Sequence, residues 1–189
     1  MNRRNLKASL ALLIVGTGLV ALYPGHGSAS ADSLAARPRI VVEFLSQDVG
    51  ELRDIDGTMM MCFDGVYVDL ATDVVVGTGS DCLDLNSIEE GEGGSFVISN
   101  TTFFDLHGGT IKTRQRTSIM PVVQGSGEPE TVATHFSADF SRGVILSGTG
   151  RFHNATGTAR LHGAVDLSEF DGNEGSRIGF NCVFILDLD

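Results

Sequence analysis

Residues 147–163, SGTGRFHNATGTARLHG, limit the fold more than any other part of this 189-residue chain. An apolar run from Gly143 to Leu146 precedes them, and residues 158–166 alternate between apolar and polar side chains. Between the two lie Gly148, Gly150 and Gly157, with Phe152 as the one large apolar side chain and Ala155 as a small one. Glycines at such spacing let the backbone bend sharply and take positive φ. The segment therefore predicts strand, corner, strand, with Phe152 anchoring the corner in the core. Gly148-Thr149-Gly150 could suggest a phosphate cradle, but such a loop needs a helix behind it, and here another strand pattern follows.

The rest of the chain carries the same period of two. Strands are expected over residues 39–45, 59–70 (bent near Asp64 and Gly65), 73–83, 95–106, 110–123 and 131–140. A closing strand over residues 177–188 places Ile178, Phe180, Cys182, Phe184, Leu186 and Leu188 on one face. His107-Gly108-Gly109 reads as a tight hairpin turn. Residues 84–94, acidic and rich in glycine, read as a loop without apolar period, as do residues 124–129 and 169–176. About seven to nine strands and no helix define an all-β, antiparallel barrel or sandwich. The chain has no Trp, which an immunoglobulin-type sandwich usually buries, so a barrel is favoured.

Residues 1–31 have a basic start (Arg3, Arg4, Lys7), an apolar run too short to span a bilayer, and an ending Ala29-Ser30-Ala31. This is the layout of a cleaved secretory signal peptide. Arg3-Arg4 also admits a twin-arginine route. A flexible leader over residues 32–38 and one β-barrel domain over residues 39–189 would follow. Export to a secreted or periplasmic location is expected, with no membrane association after cleavage. Removing three positive charges takes the formal charge from −11 to −14. Such a chain repels phosphate backbones, which argues against nucleic acid as a partner.

One strand stands apart. Along residues 110–120, one face carries Thr110, Lys112, Arg114, Arg116 and Ser118 and must be solvated. The other carries Ile111, Thr113, Gln115, Thr117 and Ile119. Either this neutral polar face lines the interior, supplying polar handles to a ligand, or the strand sits at a barrel mouth with both faces wet. Thr113, Gln115 and Thr117 are the ligand-lining candidates.

No residue set marks a reaction. The histidines lack metal-ligand spacing, no nucleophile elbow is present, and the run Glu89-Glu90-Gly91-Glu92 lacks a calcium-loop pattern, so no metal or cofactor is expected. Asp105 with His107 is the pair closest to an acid–base arrangement. Asn100-Thr101-Thr102 and Asn154-Ala155-Thr156 fit the glycosylation acceptor pattern. Three cysteines, Cys62, Cys82 and Cys182, allow three pairings with one thiol left over.

Gly148-Thr149-Gly150-Arg151-Phe152-His153-Asn154-Ala155-Thr156-Gly157 resembles the G-x-G-x-F-x-x-A-x-G signature of the allene oxide cyclase-like and dirigent-like families. The layout is similar too, with a Gly-punctuated strand before Asp81-Cys82-Leu83 and a closing strand through Phe180 to Phe184. The resemblance implies an eight-stranded antiparallel β-barrel with an apolar lumen. It further implies a small hydrophobic ligand, on which the protein is either an isomerase or cyclase or a non-catalytic binding or interaction barrel. Homo-oligomers are implied as possible. Gly148, Gly150, Phe152, Ala155 and Gly157 are structural in these families, and no catalytic residue carries over. Cys82 and Cys182 have family-like flanks, so a Cys82–Cys182 bridge tying an early strand end to the closing strand is the expected disulfide.

Overall fold

A computed structural model describes residues 38–122, 132–137 (backbone only) and 143–189. The expected signal segment, residues 32–37 of the expected leader, the loop expected at 124–129 and the ends of the strand expected over 131–140 lie outside the described residues. Among the described residues ten strands form one antiparallel sheet: β1 (Arg39–Ser46), β2 (Glu51–Ile55), β3 (Thr58–Asp69), β4 (Val74–Glu90), β5 (Phe96–Leu106), β6 (Gly109–Pro121), β7 (Val132–Ser137), β8 (Val144–Gly148), β9 (Gly157–Asp166) and β10 (Gly179–Leu188). Neighbours run β1-β10-β9-β7-β6-β5-β4-β3, and β3 pairs back onto β1, so eight strands close a ring. β2 extends β3 as a hairpin, and β8 pairs with both β6 and β9.

Alternation sets which side chains face inward. In β10, Phe180, Cys182, Phe184, Leu186 and Leu188 are buried and their neighbours less so. In β6, Ile111, Thr113, Gln115, Thr117 and Ile119 are buried, while Thr110, Arg114 and Met120 are exposed. Inside the ring the aromatics form a continuous group. Tyr67 stacks on Phe104 at 4.7 Å, Phe104 meets Phe184 edge-on at 5.2 Å, and Phe44 reaches Tyr67 at 5.1 Å. Phe63 meets Phe180 at 5.4 Å. Aromatic burial of this kind supplies most of the driving force for such a core.

The segment at 147–163 is a corner, as expected. A single 3-10 turn, Gly150–Phe152, follows β8, and Phe152 is buried beside the core. Gly150 has φ 57° and Gly157 φ 135°, both in the region that disfavours side chains. The corner is fastened to the β5–β6 hairpin: Arg151 N donates to Gly108 O at 2.8 Å and Thr149 N to Thr110 O at 2.9 Å.

Three features differ from the sequence expectation. β2 was not anticipated, because its five residues show no apolar period. Residues 84–90 are not a loop. They continue β4 across a register irregularity between Asp84 and Glu89. Ser87 holds the irregularity, donating from Oγ to Asp84 O at 2.7 Å and accepting from Ser99 N at 2.8 Å.

The third difference is the disulfide, which joins Cys62 to Cys82 and not Cys82 to Cys182. Cys62 and Cys82 sit directly opposite each other on β3 and β4, with Cα atoms 3.9 Å apart. Both belong to a small outer cluster with Met60, backed by Ile55 and Phe103. Cys182 belongs to the interior cluster instead. Cys82 and Cys182 are therefore on opposite faces of the wall, and two strands, β1 and β3, separate β4 from β10 around the ring. Non-reducing peptide mapping is expected to link the Cys62 and Cys82 peptides. Reduction should lower stability by about 2–4 kcal/mol, measured by denaturant titration. Cys182, buried and with its thiol pushed well up by burial, should label with a thiol reagent only as the chain unfolds.

Candidate functional site

The inward polar face of β6 is not a wet strand at a mouth. Thr113, Gln115 and Thr117 are 0%, 2% and 0% exposed. Cross-strand pairing brings more polar residues beside them. Asp81 on β4 faces Thr102 on β5, which faces Thr113, and Asn100 on β5 faces Gln115. Inward alternation on β4 and β5 thus lines up Asp81, Asn100 and Thr102 with the β6 set, all of them buried.

These side chains share hydrogen bonds. Asp81 Oδ1 accepts from Asn100 Nδ2 at 2.9 Å and from Thr102 Oγ1 at 2.7 Å. Thr117 Oγ1 donates to Asn100 Oδ1 at 2.8 Å. Asn100 Nδ2 also donates to Thr102 Oγ1 at 3.4 Å. Asp81 Oδ2, Thr113 Oγ1 and both terminal atoms of the Gln115 amide are buried without a hydrogen-bond partner. Buried polar atoms are nearly always satisfied, so four orphans in one patch point to a water or ligand group that belongs there.

Burial pushes the Asp81 carboxyl up from 3.8 to about 6, while the bonds from Asn100 and Thr102 pull the other way. Tyr67 and Cys182 lie close enough for the Asp81 charge to add to the rise that burial causes in each of them. The folded chain holds the Asp81 proton more tightly than the unfolded chain, so its contribution is complete below the unfolded value and is lost as pH rises through about 6. A rise from 3.8 to about 6 corresponds to about 3 kcal/mol. Asp64 and Asp187, whose carboxyls are held low first by hydrogen bonds from Arg53 and Arg39, act with the opposite sign and in more acid solution. Urea titrations across about pH 4–7 should show wild-type stability falling, and Asp81→Asn should be flatter and more stable near neutrality. An unchanged slope in that variant would assign the titration to other groups.

The other candidates scatter. Asp105 and His107 are both exposed at the β5–β6 hairpin and do not approach Asp81 through any hydrogen bond. His153 and His162 are exposed as well. Glu89 pairs with Arg116 on the outer wall. Among the described residues no cluster of three metal-ligating side chains occurs. Asn100 is fully buried, so the folded chain cannot present that glycosylation acceptor, whereas Asn154 is exposed at the corner. Gly148, Gly150, Phe152, Ala155 and Gly157 all lie in or beside the corner and outside the polar patch.

A groove of about 320 Å³ opens at one end of the ring, lined by Ser46, Asp166, Glu169, Arg177, Phe180 and Asn181 among others. It shares no residue with the buried polar patch, and its Glu169 and Arg177 pair with each other. Sequence reasoning found the β6 face but missed Asp81, Asn100 and Thr102. The available signal was spacing: Gly79, Asp81 and Leu83 share one face of a strand, as do Asn100, Thr102 and Phe104.

No protein-family model matches the chain, and no curated protein matches it.

Proposed function

We propose that this chain is an exported β-barrel of the allene oxide cyclase-like and dirigent-like kind, and that its interior holds a small hydrophobic molecule by one polar end. One observation carries this. Four buried polar atoms, on Asp81, Thr113 and Gln115, lack partners inside a closed ring whose described core is largely apolar. Ligand sites are built in this way, with apolar walls and a few polar groups that fix orientation. Asp81, a buried acid shifted toward neutrality, is the group suited to moving a proton on such a ligand. Export is supported by the Cys62–Cys82 bond, since disulfides persist in oxidising compartments.

The aromatic group favours a second reading, a non-catalytic interaction barrel. Phe44, Phe63, Tyr67, Phe104, Phe180 and Phe184 pack against one another and take up much of the interior. Native mass spectrometry of protein isolated from its own host separates the two. A carried small molecule, lost on Gln115→Leu and on Thr113→Val, is the expected result. A bare chain whose four orphan atoms are satisfied by ordered water in a crystal structure would favour the second.

A further inference from the structure

Three of the four orphan atoms are oxygens: Asp81 Oδ2, Thr113 Oγ1 and Gln115 Oε1. Thr113 lies in register with Asp81 across β5, and Gln115 follows two residues along the same inward face. Among the described residues Asp81 is an acid with no basic hydrogen-bond partner in the interior. The titratable groups that act with it are Tyr67 on β3 and Cys182 on β10, and Glu43 on β1 adds a further negative charge near Cys182. β5 presents only Asn100 and Thr102 to it. The cations of β6 turn outward, Lys112 and Arg114 to Asp56 and Arg116 to Glu89. Arg160 on β9 pairs with Asp187, and His162 is exposed. A buried carboxylate normally has a positive partner.

We propose, resting on the interior-ligand reading above, that Asp81, Thr113 and Gln115 form a binding site for a primary ammonium group carried on a small, otherwise apolar molecule. A primary ammonium brings one positive charge and three N–H donors. The charge answers the Asp81 carboxylate, and the three donors match the three orphan oxygens. Gln115 Nε2, the remaining orphan, donates to an oxygen elsewhere on the same ligand. An alcohol of equal size brings one donor and leaves the carboxylate uncompensated. A carboxylate would set a second negative charge beside the first, which a buried site resists. The apolar part of the molecule lies against the interior cluster that includes Phe104, Leu161 and Phe184.

Calorimetric titration of the purified protein with n-hexylamine, n-hexanol and hexanoate tests this at about pH 5 and about pH 7.5. Hexylamine should bind at least about tenfold more tightly than the other two. Its affinity should rise about tenfold between the two conditions, because Asp81 ionises while the amine stays protonated. Asp81→Asn should abolish both the preference and the pH dependence, with folding checked by circular dichroism. If that variant does not fold, Gln115→Leu and Thr113→Val make the same comparison and should each weaken hexylamine binding. Hexanol binding as tightly as hexylamine, with affinity that falls as pH rises, would overturn the ammonium assignment while leaving the interior reading in place. Failure of all three probes to bind wild-type protein would overturn both.

Discussion

Gly150→Val is expected to remove the native fold at ordinary temperature, a loss of about 5 kcal/mol or more. A side-chain carbon at residue 150 would lie 2.1 Å from Gly108 O, an atom that already accepts the Arg151 N–H bond holding the corner to the β5–β6 hairpin. Gly150 also has φ 57°, which costs a non-glycine residue about 1–2 kcal/mol on its own. Relief of the contact would require the corner to lift away, taking Phe152 out of the core. Gly157→Val should behave alike, since its added carbon would lie 2.0 Å from Asp187 O. Gly172→Val is the control. It too has positive φ, 82°, but nothing lies within 4 Å of the added carbon. It should cost only the conformational part, about 1–2 kcal/mol. Circular dichroism and urea midpoints compare the three. Equal losses at residues 150 and 172 would mean that the close backbone approach contributes nothing.

Phe184→Ala is expected to cost about 3–5 kcal/mol, as for other buried aromatics cut back to alanine. Phe184 is 1% exposed and touches three other rings, with centroids 6.3 Å to Phe44, 6.2 Å to Tyr67 and 5.2 Å to Phe104. Its removal opens a cavity lined by aromatic faces that three separate strands hold in place, so little collapse can fill it. A differential scanning measurement should show the midpoint falling by more than for Phe103→Ala, whose ring lies on the outer face with the disulfide cluster. The reverse order would place the main core on the wrong side of the wall.

The strands were legible because their alternation is clean. β6 and β10 show each inward residue followed by one more open to solvent, and both faces could be read from spacing alone. The corner was legible for a different reason: glycines at residues 148, 150 and 157 sit where backbone crowding or positive φ excludes a side chain. β2 was not legible, because its pairing with β3 rests on backbone bonds and its apolar residues, Leu52 and Ile55, are three apart and show no strand period. The continuation of β4 through Glu90 was hidden for the same reason. There Leu85 and Ile88 are likewise three apart, and the acidic stretch masks a ladder that Ser87 bridges.

The disulfide was misread for want of one inference that alternation does supply. Phe63 and Asp81 face inward, so Cys62 and Cys82, each one residue away, face outward together. Cys182 shares its face with Phe180 and Phe184 and could not meet them. The site was half legible. Thr113, Gln115 and Thr117 stand out as a polar row between isoleucines, whereas Asp81 and Asn100 look like ordinary strand and acceptor-motif residues until the register places them opposite that row.

The ring closes through the pairing of β1 with β10, eight residue pairs from Arg39 with Asp187 to Ser46 with Phe180. β1 thus finds its longest partner more than 130 residues further along the chain. Without β10, β1 pairs only through four residues with β3, and the edges of β1 and β9 are open. Contacts this distant in sequence are slow to form, and open edges invite pairing with other chains. A partly formed ring of this design therefore needs to be kept from premature association until β10 docks.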